Sequence, residues 1–454
     1  MALQDRRTFL RWLGAAALAA TSRRTAHAAP EERKPNVILF YADDQGYADL
    51  GCYGSKDIKT PHLDALAASG ARLTSYYSAA PVCSPSRSAL LTGLSPQRAG
   101  VPTNVRAGKD VVGLPGDRVT IAELLKQQGY ATAAFGKWHL GTAKESCPLG
   151  QGFDEYLCHH YGCISYTTHI FSWDQKLGPV HDLWRNGTEI HEDGTYMTDL
   201  ITREALRFIG EHKATPFFLY LPYNAPHYPM EAPEKWMRMY EGMETNRRPY
   251  AAMVSCMDDS IGQIIAKTRE LGIHDNTLFI FASDNGPSNE VRTKLDPKGP
   301  QPGSSGPFRG SKFSLLEGGI RMPFIASWPG HIKPGTVSDE PAIAMDVLPT
   351  IADVTGAKRP EGLEGRNHLD SLVGGPSLAR GEKQETRPLF WESGGQRAVR
   401  RGNWKLYVPP RGKPQLYDLA ADPAEAKDLA AEKPDLAKEL VALHDAWRAT
   451  WMKK

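Results

Sequence analysis

The stretch Asn36-Val37-Ile38-Leu39-Phe40-Tyr41-Ala42-Asp43-Asp44-Gln45-Gly46 decides the fold. Its first part is a short apolar run, rich in branched and aromatic residues, without polar alternation. That pattern predicts a strand buried on both faces, as in a parallel sheet covered by helices. The run ends in two adjacent carboxylates, which repel each other unless a cation or solvent relieves them. A solvated turn is the plainer reading of this one segment, because Asp and Gly are common turn residues. The same event recurs along the chain. Tyr130–Phe135 runs into Lys137-Trp138-His139, Pro216–Leu221 into Asn224-Ala225-Pro226-His227, and Thr277–Ala282 into Asp284-Asn285. Four strands that end in polar groups, with helical segments between them, predict an α/β fold: a large, mostly parallel sheet between helices. The ligand site of such a sheet lies at the carboxyl ends of its strands.

Working outward, amphipathic or apolar helical patterns fall at Pro61–Ala67, Val119–Gln128, Met197–Gly210, Tyr250–Leu271 and Met345–Val354. Several are followed by a glycine stop. Phe324–Trp328 reads as a further strand. Residues 145–195 read as irregular, and their His159, His160, Tyr161, His169, Trp173 and Trp184 are candidates for a cleft lining, although such rings also serve as packing. Residues 359–386 read as a linker or connecting loops. Beyond them, short strands at 388–392, 396–400, 403–408 and 415–418 precede a charged amphipathic helix over Pro434–Trp451, a small C-terminal α+β unit.

The stretch Pro81-Val82-Cys83-Ser84-Pro85-Ser86-Arg87-Ser88-Ala89-Leu90-Leu91-Thr92-Gly93 lies between these elements. Pro85 suits the first turn of a helix, which would put Cys83 just outside its N-terminus, where unpaired N–H groups favour an anion. Arg87, one turn on, can offer a bidentate fork to the same anion. The alternative is a helix capped by Ser84 beside an ordinary cysteine. Lys137 and His139, two apart on an extended segment, would face one side. Asp43, Asp44, Asp284 and Asn285 offer oxygen ligands alone, a set that suits calcium or magnesium better than zinc.

The run Cys83-Ser84-Pro85-Ser86-Arg87 with the downstream Leu91-Thr92-Gly93 resembles the signature of the type I sulfatases, which share the alkaline-phosphatase-like fold. The resemblance runs from about Asn36 to Pro323 and continues weakly into the C-terminal unit. It implies a catalytic domain over 36–358, a connector over 359–386 and a subdomain over 387–454. In that family the cysteine is converted to formylglycine by a formylglycine-generating or sulfatase-maturing enzyme. The resemblance therefore implies that Cys83 is a precursor and not itself the nucleophile. It assigns Asp43, Asp44, Asp284 and Asn285, together with modified Cys83, to one divalent cation, Ca2+ in preference to Mg2+. It assigns Arg87, Lys137, His139, His227 and Lys312 to catalysis and sulfate binding. Hydrated formylglycine supplies one hydroxyl to attack sulfur and a second through which sulfate is expelled. Lys137 would hold non-bridging oxygens and Lys312 would sit near the bridging oxygen. His227 would protonate the leaving alcohol and His139 would take the proton of the second hydroxyl. The activity implied is a sulfuric ester hydrolase, with a sulfated carbohydrate as the expected substrate. A phosphonate monoester or phosphodiester hydrolase of the same superfamily, an arylsulfatase with a non-carbohydrate substrate, and a non-catalytic glycan-binding protein stand as alternatives.

Residues 1–28 read as a leader. Arg6-Arg7 form the pair of a twin-arginine signal, Trp12–Ala20 is too short to span a bilayer comfortably, and Ala26-His27-Ala28 is a small-residue cleavage site. The expectation is passage through the twin-arginine export machinery to a periplasmic or secreted location, with no transmembrane segment in the mature protein. Because that route carries folded protein, Cys83 would be modified before export. Removing residues 1–28 takes away five arginines and one aspartate and turns the formal charge from +2 to −2. Nucleic-acid binding thus has no compositional support. The 454 residues suffice for a large core and a smaller appended unit. Of six cysteines, Cys147, Cys158 and Cys163 fall close together without a zinc spacing; buried free thiols, with room for one disulfide after export, are expected.

Overall fold

The computed structural model describes residues 33–368 and 387–452. The leader reading of residues 1–28 and the later part of the expected connector lie outside those residues. The strands are β1 (Asn36–Ala42), β2 (Ala71–Tyr77), β3 (Ala131–Lys137), β4 (Glu155–His159), β5 (Ile170–Phe171), β6 (Val180–His181), β7 (Trp184–Arg185), β8 (Thr188–Glu189), β9 (Phe217–Pro222), β10 (Thr277–Ser283), β11 (Arg321–Ser327), β12 (Thr336–Ser338), β13 (Ala342–Ile343), β14 (Leu389–Ser393), β15 (Gln396–Arg401), β16 (Trp404–Val408) and β17 (Gln415–Asp418). The main sheet runs in the order β12-β2-β11-β10-β1-β9-β3-β4-β7-β8, with β13 paired to β2. Strand β1 is parallel to both β9 and β10, and β3 is parallel to β9 and β4. The carboxyl ends of β10, β1, β9 and β3 therefore share one edge. Beyond β10 the sheet turns antiparallel at β11.

The unbroken apolar run of β1 has a simple cause. Val37, Leu39 and Tyr41 point into one core and Ile38, Phe40 and Ala42 into the other. Helices α1 (Pro61–Ala68), α4 (Met197–Glu211) and α5 (Arg247–Glu270) line the second core; α2 (Cys83–Thr92), α3 (Ile121–Lys126) and α6 (Val347–Thr355) line the first. Helix α3 is shorter than the expected Val119–Gln128, because Thr120 and Glu123 close a capping box at its start.

Several strands escape the sequence pattern: β5–β8 inside the segment read as irregular, β12, β13, and the longer β2 and β4. Strand β2 sits between the first helix and the cysteine segment, and its Arg72 and Thr74 break the apolar run at half-buried positions. Strand β4 lies inside the segment expected to be irregular; it continues the parallel sheet although it begins with Glu155 and ends in His159.

The C-terminal unit is an antiparallel sheet, β14-β15-β16-β17, against α7 (Pro434–Met452). It is joined to the large sheet by buried polar contacts. Trp391 donates from Nε1 to the Ser78 carbonyl at 2.8 Å. Lys405, fully buried, reaches Glu317 at 2.8 Å and Glu425 at 2.9 Å, while Tyr77 donates to Glu317 at 2.5 Å. The first part of the expected connector is pinned as well: the backbone N–H of Glu364 and of Gly365 each donate to the Gly93 carbonyl at 3.1 Å. No helix among the described residues is long and apolar enough to cross a membrane.

Removing one partner of a buried ion pair leaves the others charged and unsolvated, at about 3–5 kcal/mol. Lys405→Met should therefore lower the thermal midpoint by several degrees in a melting experiment; an unchanged midpoint would contradict this account of the junction.

Candidate active site

The four parallel strand ends deliver their polar groups to one buried place. Asp43 and Asp44 follow β1, and Asp44 adopts a left-handed φ of 61°, a conformation aspartate tolerates better than most residues. Lys137 is the last residue of β3, His227 follows β9, and Asp284 and Asn285 follow β10. Helix α2 brings Cys83 and Arg87, and Gly93 ends it with a left-handed φ of 68°. Cys83 is the first residue of that helix and does not lie outside it, because extended Val82 occupies the cap position. Ser84 is not the cap either. Its N–H donates to Asn104 Oδ1 at 3.1 Å, and its hydroxyl accepts from the Val105 N–H at 3.0 Å.

Arg87 donates to Asp284 Oδ2 at 2.9 Å and to the Lys137 carbonyl at 3.1 Å, and stands 3.6 Å from Asp43. Lys137 Nζ lies 2.5 Å from Asp43 and 3.3 Å from Cys83 Sγ. Lys312 Nζ lies 2.8 Å from Asp44 and 3.2 Å from His227 Nε2. Asn285 donates from Nδ2 to Asp44 at 2.7 Å, and the Asp44 N–H donates to Asp284 at 3.1 Å. Nine of the ten residues singled out in the sequence are thus linked in one contact network. The tenth, His139, stands beside it, held by Nε2 against the Val105 carbonyl at 3.1 Å. It does not share an extended face with Lys137. The strand has ended by then, and His139 takes a left-handed φ of 53°. A Cβ on Gly162 would come within 2.9 Å of the His139 ring, so that position must stay small for the ring to fit.

Burial sets the protonation states. It pushes Asp43 and Asp44 upward, with Lys137 and Lys312 respectively opposing it. Against the same burial, Arg87 and Lys137 hold Asp284 below the usual carboxylate range. Both lysines stay protonated because Asp43 and Asp44 outweigh the burial that disfavours their charge. Burial, reinforced by Lys137 for His139 and by Lys312 for His227, drives both histidines well below their ordinary value, so they are neutral imidazoles. The Cys83 thiol is pushed up to about 12, chiefly by burial. A thiol of that kind is protonated at neutral pH and is a poor nucleophile.

Carboxylate oxygens, a thiol and an imidazole come together here as possible metal ligands. Asp43, Asp44, Cys83 and His227 offer ligand atoms that all lie within 4.8 Å of one another. Beside them, the buried Asn285 Oδ1 has no hydrogen-bond partner, an orphan that an ion would satisfy.

Three further residues have no signal in the sequence. Asn104 and Val105 clamp the start of α2 and the ring of His139. Gln396, from β15, accepts from the Leu315 N–H at 3.1 Å and donates to the Phe313 carbonyl at 2.6 Å. Through that contact the C-terminal unit braces the loop that carries Lys312. Of the proposed cleft residues, His159 is buried against the Tyr161 carbonyl at 3.0 Å and His160 stacks on Trp184, so both are packed. Trp173 is the exposed one, edge-on to Tyr228 with Arg292 above that ring. All six cysteines are unpaired thiols.

The family model described as Sulfatase matches residues 35–357, and one described as N-sulphoglucosamine sulphohydrolase, C-terminal, matches residues 310–448. The chain belongs to the sulfatase family. Its relatives include human arylsulfatase A, 35% identical over 90% of this chain and 82% of that protein. Mouse N-acetylgalactosamine-6-sulfatase is 36% identical over 84% of this chain and 73% of that protein. Among solved structures, Ps i-CgsB in complex with k-i-k-neocarrahexaose superposes with a TM-score of 0.82 at 34% identity, over 91% of this chain and 93% of that one. The protein is a sulfuric ester hydrolase of the alkaline-phosphatase-like superfamily, with the mixed α/β sheet and small C-terminal sheet described above.

His160 provides a check on these environments. Burial lowers its pKa to about 4, so the unfolded chain binds its proton first as pH falls below 6.5. Its contribution to stability is present above pH 6.5 and is lost as pH falls toward 4, by at most about 1.4 kcal/mol per pH unit. His160→Phe keeps the ring on Trp184 and removes the proton. Unfolding free energies measured from pH 7 to pH 4 should fall less steeply for the variant; parallel curves would refute the assignment.

Proposed function

We propose that this sulfatase removes sulfate from a sulfated carbohydrate, using formylglycine at position 83 and one divalent cation, Ca2+ in preference to Mg2+. The observation that carries this reading is the junction of Cys83 with Lys137, Asp43 and Arg87 at the start of α2, where the thiol itself is too basic to react. Catalytic residues 36–358 and a bracing unit at 387–454 complete the proposed arrangement. The carbohydrate part rests on the relatives, one named for an acetylgalactosamine sulfate and one solved with a neocarrahexaose.

The roles follow from the contacts. Formylglycine, once hydrated, supplies one hydroxyl for attack on sulfur and a second for release of sulfate, which neither serine nor cysteine can offer. Asp43, Asp44, Asp284, Asn285 and residue 83 would hold the cation, which neutralises carboxylates and polarises sulfate oxygens. Arg87 and Lys137 stay charged in a water-poor site and hold the anionic group. His139 spends its Nε2 proton on the Val105 carbonyl, so its buried, unpartnered Nδ1 carries the lone pair that accepts the proton from residue 83. His227 Nδ1 lies 2.7 Å from the Tyr228 carbonyl and takes the proton-bearing role there. Its Nε2 faces Lys312, whose ammonium keeps that pair supplied with the proton the leaving alcohol needs.

Maturation before twin-arginine export, directed by residues 1–28, and a periplasmic or secreted destination belong to the same proposal.

Steady-state desulfation of a panel of sulfated mono- and oligosaccharides by the matured enzyme tests the reading. Matched phosphate, phosphonate and aryl sulfate esters serve as comparisons. Turnover of a saccharide sulfate should exceed that of the phosphorus ester, and Lys137→Ala should lower kcat by about 10²–10³. A clear preference for the phosphorus ester, or an undiminished Lys137→Ala enzyme, would overturn it. Treatment with a chelator should abolish activity, and Ca2+ should restore it better than Mg2+; retention of activity without any divalent ion would remove the cation from the scheme.

A further inference from the structure

A second cluster of ligand-type side chains lies in the 160–195 segment, among residues that play no part in the chemistry above. His169 precedes β5, and His181 is the last residue of β6, paired in register with Ile170. The Asp182 N–H donates to the His169 carbonyl at 2.9 Å, which fixes the two histidines side by side. Asp193 comes from the loop that leads into α4. One ligand atom from each of His169, His181 and Asp193 lies within 4.8 Å of the others.

Their bonding marks them out from ordinary surface polar groups. His169 is fully buried; one ring nitrogen faces the Thr195 backbone as a weak donor and the other has no partner. A buried imidazole nitrogen without a partner is costly unless a ligand takes it. His181 Nδ1 lies 2.9 Å from Glu189 Oε1, which leaves Nε2, buried and without a partner, as the free nitrogen. A carboxylate on the far nitrogen of a histidine is the outer contact that orients metal-bound imidazoles. The alternative grouping of His181, Glu189 and His191 spans the same distance, but its Glu189 and His191 are exposed and Glu189 is already engaged.

We infer that His169, His181 and Asp193 form a second metal site, distinct from the carboxylate cluster, which takes a borderline divalent transition ion such as Zn2+. Two imidazoles and one carboxylate suit that class of ion, whereas the all-oxygen set at the strand ends suits calcium. The ion would tie the β5–β6 ribbon to the 189–195 loop. Trp173, in the ribbon's connecting turn, packs on Tyr228 next to His227 at a ring separation of 5.1 Å, so the clip would steady the rim of the active site. The role is structural, and the site stands whatever the substrate proves to be.

Equilibrium dialysis of the full-length, tag-free protein against Zn2+, with Ca2+ saturating, tests this. The wild type should retain about one Zn2+ per chain with a sharp end point. His181→Gln and exposed Asp193→Asn should each weaken that binding by about 100-fold or more, and Glu189→Gln by about 10-fold or more. His191→Ala should leave it unchanged. Zn2+ should also raise the melting temperature of the wild type and not of Asp193→Asn, a readout independent of catalysis. Absence of Zn2+ uptake by the wild type, undiminished uptake by Asp193→Asn and His181→Gln, or loss of uptake in His191→Ala alone would each overturn the inference.

Discussion

Three buried carboxylates at the ends of neighbouring parallel strands impose the constraint from which the site is built. Asp43, Asp44 and Asp284 cannot sit together out of water unless positive charge comes with them. Arg87, Lys137 and Lys312 meet that demand from three separate parts of the chain: a helix, a strand end and a long loop. Each must be held in place, and much of the surrounding architecture serves that need. Helix α2 is anchored at its start by Asn104 and Val105, and the Lys312 loop is braced by the C-terminal sheet through Gln396. Such an arrangement is costly for stability alone, since a well-packed apolar cluster would do as well or better. Its value lies in being preorganised for an anion and a cation together.

The same constraint accounts for the neutral histidines. Burial, reinforced by Lys137 and Arg87 at His139 and by Lys312 and Lys137 at His227, keeps both rings from holding a second proton. One thus presents a lone pair while the other shares a proton with a lysine. The unreactive Cys83 fits the same picture. A thiolate there would compete with the carboxylates for the same cations, and burial keeps it protonated.

The fold was legible where apolar runs were unbroken. Strand β1 could be read because its side chains feed two cores alternately and none is spared for solvent. The C-terminal strands were legible because turn residues punctuate them every few positions. Strands β2 and β4 were not, since one alternates with half-exposed Arg72 and Thr74 and the other is short and bounded by polar residues. Asp43, Asp44, His227, Asp284 and Asn285 were legible because each follows a strand, where a polar residue after a hydrophobic run stands out, whereas Cys83 and Arg87 on helix α2 were legible through the motif they share. The position of His139 was not, because a left-handed φ leaves no trace in spacing. The bracing by Gln396 and the Trp173–Tyr228–Arg292 rim depend on contacts between segments far apart in the chain, which no local pattern encodes.

The central claim is that residue 83 works in a form other than the one the gene specifies. Mass analysis of the proteolytic peptide containing Cys83, taken from a preparation whose turnover is measured in parallel, tests it most directly. An aldehyde at this position gives a peptide lighter than the thiol form, in a fraction that rises in proportion to activity across preparations. Full activity in a preparation whose Cys83 is entirely the unmodified thiol would contradict it.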